Sequence, residues 1–350
     1  MRAHDLALGR VSRMLRSAAR HLETVDPTAI IGDVVAASVT SPREVPEAVR
    51  PQFAESAPGA LSLFLRPGGG GASPRDHVDT AVQAARRVVD EHLGREARRW
   101  LDGRVEAATA VDYRPGRQGG LFGSSFDRHG LAESVVGFEL SSGYPNALAP
   151  SLQRLVRTVT SALPSLRPSF TMVRCGRSAG TQQVSFDIEA SLALGDLKLL
   201  MDELGIGKQH GSLMSSTAFL LGARFTLPPG SASLTLRPIR GGTELRLDVI
   251  LEKIPDPPPQ LVSLLRLVMT ERPRSLSTFE RWLSAFTPEG FPTAGDFTIL
   301  SVWVRPDVPA RVALFLRPAA LSTAEAAPHA PAPSVGASRI EPVSPWDPIA

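Results

Sequence analysis

The stretch FTILSVWVRPDVPARVALFLRP, residues 297–318, decides the fold class. Two runs rich in Val, Ile, Leu, Phe and Trp flank Arg305-Pro306-Asp307, the composition and turn chemistry of a β-hairpin. Successive side chains of a strand point to opposite faces. Val312, Leu314 and Leu316 therefore share one face of the second strand, and Arg311, Ala313, Phe315 and Arg317 share the other. On the first strand Ser301, Trp303 and Arg305 fall together, with Val302 and Val304 opposite. One face is apolar; the other mixes aromatic rings with arginine.

The same design recurs upstream. In TELRLDVILEK (243–253), Leu245, Leu247, Val249 and Leu251 oppose Glu244, Arg246, Asp248 and Glu252. In 181–190, Val184, Phe186 and Ile188 oppose Gln183, Ser185, Asp187 and Glu189. In 133–140, Ser134, Val136, Phe138 and Leu140 oppose Glu133, Val135, Gly137 and Glu139. Further strands are ALSLFLRP (60–67), SFTMVRCGR (169–177) and ASLTLRPI (232–239), the last forming a hairpin with 243–253 across Gly241-Gly242. Helical spacing covers 75–102, 147–163, about 192–204 and, interrupted near Arg272-Pro273, 259–286. Residues 27–57 read as short segments punctuated by proline, 114–130 as a Gly-, Arg- and Ser-rich loop, and 212–227 as irregular or strand. The resulting order is helix, strand, strand, repeated four or five times. Leu-Arg-Pro ends strands in the same phase at 65–67, 236–238 and 316–318.

Two α+β architectures fit. An open antiparallel sheet would carry helices on one face and water on the other. Alternatively, the αββ units close into an antiparallel barrel with helices outside and the polar face lining a lumen. Repetition favours closure, which leaves few strand edges to protect. Residues 1–26 form an amphipathic helix, with Leu8, Val11, Leu15, Ala18, Ala19 and Leu22 at helical spacing. Residues 27–318 form one barrel-like domain. Residues 319–350 are Ala/Pro/Ser-rich and read as a disordered tail, in which Trp346 offers a docking residue for a protein partner.

Composition excludes several classes. The 350 residues, 43% of them hydrophobic, can bury a large core. The net charge is only +3, and charges of both signs are interspersed, which is not a nucleic-acid footprint. No apolar run reaches the ~20 residues that span a bilayer. The single cysteine, Cys175, leaves no intramolecular disulfide or thiolate zinc site and points to a reducing cytoplasm. It reads as a buried structural residue. The glycine run at 68–71 lacks the Lys-Ser/Thr of a phosphate loop, the seven histidines lack metal-ligand spacing, and no Gly-x-Ser-x-Gly elbow is present. The aspartate-rich motif of Mg²⁺-dependent isoprenoid enzymes is also missing.

Repeated helix–strand–strand units around a solvent-filled antiparallel barrel resemble the ABBA aromatic prenyltransferases, including dimethylallyltryptophan synthase-like enzymes. The likeness covers residues 130–318. The closing hairpin looks like that family's last two strands. Asp127-Arg128-His129-Gly130-Leu131-Ala132-Glu133-Ser134 resembles the entry into an early strand that bears the glutamate for the aromatic substrate. The resemblance implies a bacterial, cytoplasmic enzyme of specialised metabolism, metal-independent and without a cofactor. Its substrates would be a prenyl diphosphate and an aromatic small molecule (indole or phenol) or peptide. By that likeness Arg66, Arg174, Arg237, Arg246, Arg305 and Arg317 are candidates to hold the diphosphate, because the guanidinium fork fits phosphate oxygens. Phe64, Trp303 and Phe315 are candidates to shield an allyl cation, and Glu133 is the candidate catalytic carboxylate. The chain departs from the family in one respect. That family mixes lysine and tyrosine with arginine on these strands, whereas here there is no Lys-x-Tyr strand motif and only Tyr113 and Tyr144. The departure favours the alternative, a non-catalytic scaffold that binds an acidic ligand or a protein partner.

Overall fold

The computed structural model describes residues 3–40, 45–68, 71–116, 119–140, 148–258 and 260–322. The tail from 323, with Trp346, and Tyr144 lie outside the described residues. The chain reads as five units in which helices precede a strand pair. The first holds α1 (Ala3–Leu22), α2 (Thr28–Ser38), α3 (Val45–Ala48), β1 (Val49–Ala54) and β2 (Leu61–Leu65). The second holds α4 (Pro74–His92), α5 (Arg95–Thr109), β3 (Gly120–Asp127) and β4 (Gly130–Glu139). The third holds α6 (Pro150–Ala162), β5 (Leu166–Gly176) and β6 (Gly180–Ile188). The fourth contains β7 (Leu192–Ala193), α7 (Leu197–Glu203), α8 (His210–Leu220) and β8 (Thr226–Leu227), then β9 (Ala232–Ile239) and β10 (Gly242–Ile250). The fifth holds α9 (Leu261–Met269), α10 (Pro273–Phe286), β11 (Gly295–Arg305) and β12 (Val308–Pro318).

The ten long strands close into an antiparallel barrel in chain order, while β7 and β8 pair with each other outside it. Closure joins the two ends of the sheet, with Gln52 opposite Phe315 and Ala54 opposite Ala313. This settles the choice between open sheet and barrel. The alternation runs as the sequence predicts: Leu234, Leu236, Leu245, Leu247, Leu300, Val302, Leu314 and Leu316 are fully buried against the surrounding helices. Burying each such side chain contributes about 1.5–3 kcal/mol. The helices present matching faces. On α4, Val78, Ala81, Val82, Ala85, Val88 and Val89 are all buried, and a Ser73/Asp76 capping box with Pro74 at the first turn fixes where that helix starts. Cys175 is buried as well, and burial pushes its thiol up to about 12, so it is an inert core residue.

Three local expectations are corrected. Residues 120–127, expected as loop, form β3. Its small residues answer close neighbours: a Cβ on Gly120 would lie 2.6 Å from the Val78 backbone of α4, and one on Gly123 would lie 2.9 Å from the Phe64 ring. Strand propensity there yields to packing on both faces. Residues 212–220, expected as irregular or strand, belong to α8, whose Leu213, Thr217, Ala218 and Leu220 are buried. The expected helix over 75–102 is two helices, α4 and α5, turned at Gly94 with φ +90°.

A buried charge ties the seam together. Glu55 follows β1, and its side chain is fully buried. Arg272, between α9 and α10, pairs with it at 2.9 Å. The Val312 amide of β12 donates to the same carboxylate at 2.8 Å. Arg272 also donates to the carbonyls of Ala310 (3.2 Å) and Val268 (3.0 Å). Removing one partner of such a pair strands the other in low dielectric. Glu55→Ala is therefore expected to lower unfolding free energy in urea by about 3–5 kcal/mol, with much of the loss recovered in Glu55→Ala with Arg272→Met. A single-variant loss below about 1 kcal/mol would show that the seam does not depend on this pair.

Candidate functional site

The inward face of the barrel is too wide for its side chains to fill, and it leaves two half-open cavities of about 680 and 930 Å³. Both are lined by Phe64 and Arg246, so these residues form a waist between them. Glu133, Arg174, Arg237, Trp303 and Arg305 line the smaller cavity. Arg66 and Phe315 line the larger one. Nine of the ten candidates named from the sequence therefore face the lumen. Arg317 lines neither cavity; at the end of β12 it donates to Glu252 at 2.6 Å.

Four of the lumen arginines, Arg174, Arg237, Arg246 and Arg305, are held by carboxylates. Arg174 of β5 donates to Glu133 of β4 at 2.5 Å and to the Gln183 side-chain oxygen of β6 at 3.1 Å. Arg246 pairs with Asp248, two residues along the same strand, at 2.9 Å. Asp248 also accepts from the hydroxyls of Ser301 and Thr235. Glu244 of β10 gathers two arginines. Arg237 of β9 meets it as a fork, at 3.0 and 2.7 Å, and Arg305 of β11 donates to it at 2.7 Å. Burial pushes the Glu244 carboxyl up, but the Arg237 charge, its hydrogen bonds and Arg305 outweigh that and hold it below the usual glutamate value.

Rings complete the wall. Phe64 and Phe315 lie across β1 with centroids 5.2 Å apart and planes tilted by 56°. The Arg305 guanidinium lies 4.8 Å from the centre of the Trp303 ring. Phe170 also enters the larger cavity, where its ring occupies the space a Cβ on Gly137 would need, 2.5 Å away. A bulge between Pro168 and Phe170 sets that direction. Glu244 and Phe170 were not among the sequence candidates, although both share strand faces with residues that were: Glu244 with Arg246, and Phe170 with Arg174. Tyr113 stands outside the lumen walls, edge-on to Phe138, with its hydroxyl donating to the Glu139 carbonyl at 2.6 Å. Among the described residues, no group of three or more His, Cys, Asp or Glu is placed to hold a metal ion, and no helix is long and apolar enough to cross a membrane.

No protein-family model matches the chain, and no curated protein matches it. Solved structures do. The 5-dimethylallyltryptophan synthase from Streptomyces coelicolor superposes with a TM-score of 0.66 at 16% identity, covering 90% of this chain and 98% of that one. The 6-dimethylallyltryptophan synthase from Micromonospora olivasterospora, solved in complex with DMASPP and Trp, gives 0.68 at 13% identity over 89% and 96%. The prenyltransferase PriB gives 0.66 at 16% identity over 90% and 96%. The closed ten-stranded barrel with its surrounding helices is thus the ABBA-type prenyltransferase fold. At these identities the likeness is one of fold.

The Glu244 cluster has a pH signature. Because the folded-state pKa lies below the ordinary value of 4.5, the stability it contributes is present above that value and is lost as pH falls through the lowered one. In urea unfolding, the gap between wild type and Glu244→Gln is expected to be full at neutral pH and to close as the pH is taken below 4.5. A gap that stays constant down to the acid limit would assign it to hydrogen-bond geometry rather than charge.

Proposed function

We propose that this chain transfers an allylic prenyl group from a prenyl diphosphate to an aromatic acceptor (an indole, a phenol or an aromatic peptide side chain) within the barrel lumen. The observation that carries the reading is the juxtaposition, along one barrel lumen, of arginine guanidinium groups, aromatic rings and a carboxylate, on a fold shared with aromatic prenyltransferases. Arg174, Arg237 and Arg305 take the diphosphate in the smaller cavity, with Arg246 at the waist; Arg66 faces the other cavity and Arg317 neither. The allylic C–O bond breaks with its electron pair leaving on the diphosphate, whose growing charge the guanidinium groups stabilise. The rings of Phe64, Phe315 and Trp303 flank the allyl cation. An acceptor ring carbon forms the new C–C bond, and the proton it loses passes to Glu133. The arginines supply the positive charge this chemistry needs, so no metal or cofactor enters the scheme. A cytoplasmic setting is part of the same proposal.

A second reading rests on a specific observation: Arg174, Arg237, Arg246 and Arg305 each already have a carboxylate partner. A lumen neutralised in this way suits a non-catalytic binder of a small acidic ligand. Calorimetry with dimethylallyl and geranyl diphosphate, against pyrophosphate, distinguishes the two when followed by mass spectrometry of incubations with indole, phenol and peptide acceptors. Prenyl transfer predicts binding that is tighter for the prenyl esters than for pyrophosphate and weaker by at least about tenfold in Arg237→Ala with Arg305→Ala, and an acceptor heavier by one prenyl group. Binding without product would establish the binder. A folded protein that binds none of the three would remove the diphosphate from either account.

A further inference from the structure

We infer that Glu244 is a built-in competing anion: its carboxylate fills the anion-binding fork of Arg237 and Arg305, and a phosphate-bearing ligand binds by displacing it. The inference rests on the proposed function for its ligand class and on the geometry of the smaller cavity for its site.

Arg237 meets Glu244 with two nearly parallel N–H···O bonds, 3.0 Å from Nε to one oxygen and 2.7 Å from Nη2 to the other. This is the fork-to-fork arrangement that arginine uses equally for carboxylate and for phosphate. The Oε2 atom also accepts from Arg305 Nε at 2.7 Å, so a single oxygen receives two charge-assisted bonds from two strands. Both arginines and the glutamate line the cavity, and the arginine side chains keep 20% and 32% of their surface exposed, open to an incoming group.

The charge count sets this cluster apart from its neighbours. Glu133 neutralises one arginine, Arg174, which Gln183 also holds. Asp248 neutralises Arg246 and is fastened by Ser301 and Thr235. Glu244 faces two arginines with one negative charge, so the triad keeps a net positive charge, with the Arg237 fork and the Arg305 Nε–H converging on one carboxylate. A phosphate with more than one negative charge can displace a single carboxylate there, whereas a monoanion gains little by the exchange. The tethered carboxylate thus tunes the site toward di- and polyanionic phosphates and against simple carboxylates.

The experiment measures binding of inorganic pyrophosphate, sulfate and acetate by calorimetry on wild type, Glu244→Gln and Arg237→Gln. Removing the competitor while keeping its shape is expected to tighten pyrophosphate binding at least about tenfold. It is also expected to let acetate bind measurably where wild type shows none, and to lower the melting temperature of the ligand-free protein in a way that pyrophosphate restores. Arg237→Gln, which removes one fork, is expected to weaken pyrophosphate binding by about tenfold or more, and it keeps the inference testable should Glu244→Gln fail to fold. Pyrophosphate affinity unchanged or weakened in folded Glu244→Gln, or unchanged in Arg237→Gln, overturns it. Because none of these readouts requires a prenyl chain or an acceptor, failure of prenyl transfer leaves the inference standing, and its own failure shows separately.

Discussion

Closure of ten strands is the constraint on which the rest depends. A small barrel is filled by its own side chains, but this one is wide enough to leave open space inside. Every strand must therefore suit two environments at once, hydrocarbon outside and a partly wet interior inside. The sequence meets the demand by alternation, interrupted at bulges: most Leu and Val rows face α-helices, while Arg174, Gln183, Arg237, Glu244, Arg246 and Asp248 face the lumen. Closure also removes the exposed edges that an open sheet would have to protect. It depends on β1 and β12, and the buried Glu55–Arg272 pair sits where those strands meet.

A lumen of this kind cannot hold bare charges. Partly desolvated guanidinium groups need counterions, and here the protein supplies its own from adjacent strands. The pairs contribute modestly to stability but fix each arginine in one geometry, which matters more for recognition than for folding. Arg237 and Arg305 come from strands on either side of β10, so their convergence on Glu244 follows from register: Arg237 stands directly opposite Glu244 across β9–β10. The site is a product of the sheet rather than of a loop.

Much of this was legible in the sequence. The face assignments on 243–253 and 297–318 and the order of helix and strand pairs were open to a reader of periodicity alone, because a half-buried strand writes its environment in every second residue. Three kinds of feature were not. β3 is written in Gly and Ser, since α4 and Phe64 crowd it from both sides, and neither neighbour is visible from local sequence. Arg317 alternates in phase with Phe315 but lies where β12 leaves the lumen, and strand parity does not say how far along its length a barrel stays enclosed. The partnership of Glu244 with two arginines, 7 and 61 residues away, exists only once register is set.

The scarcity of lysine and tyrosine acquires a physical meaning in the structure. Without a Lys-x-Tyr strand motif, the inner wall takes its rings from Phe64, Phe315, Phe170 and Trp303 and most of its positive charge from arginine, while Lys253 at the larger cavity donates to the Gly230 carbonyl at 2.8 Å. Phenylalanine presents a weaker cation-facing ring than tryptophan, so among these rings Trp303 is the one best suited to the shielding proposed above. Its ring is already engaged by Arg305, 4.8 Å from its centre. The same Arg305 is bound to Glu244. On the proposed function, charge recognition and cation shielding are therefore linked through one side chain: a ligand phosphate that draws Arg305 toward itself would also change what the Trp303 ring faces.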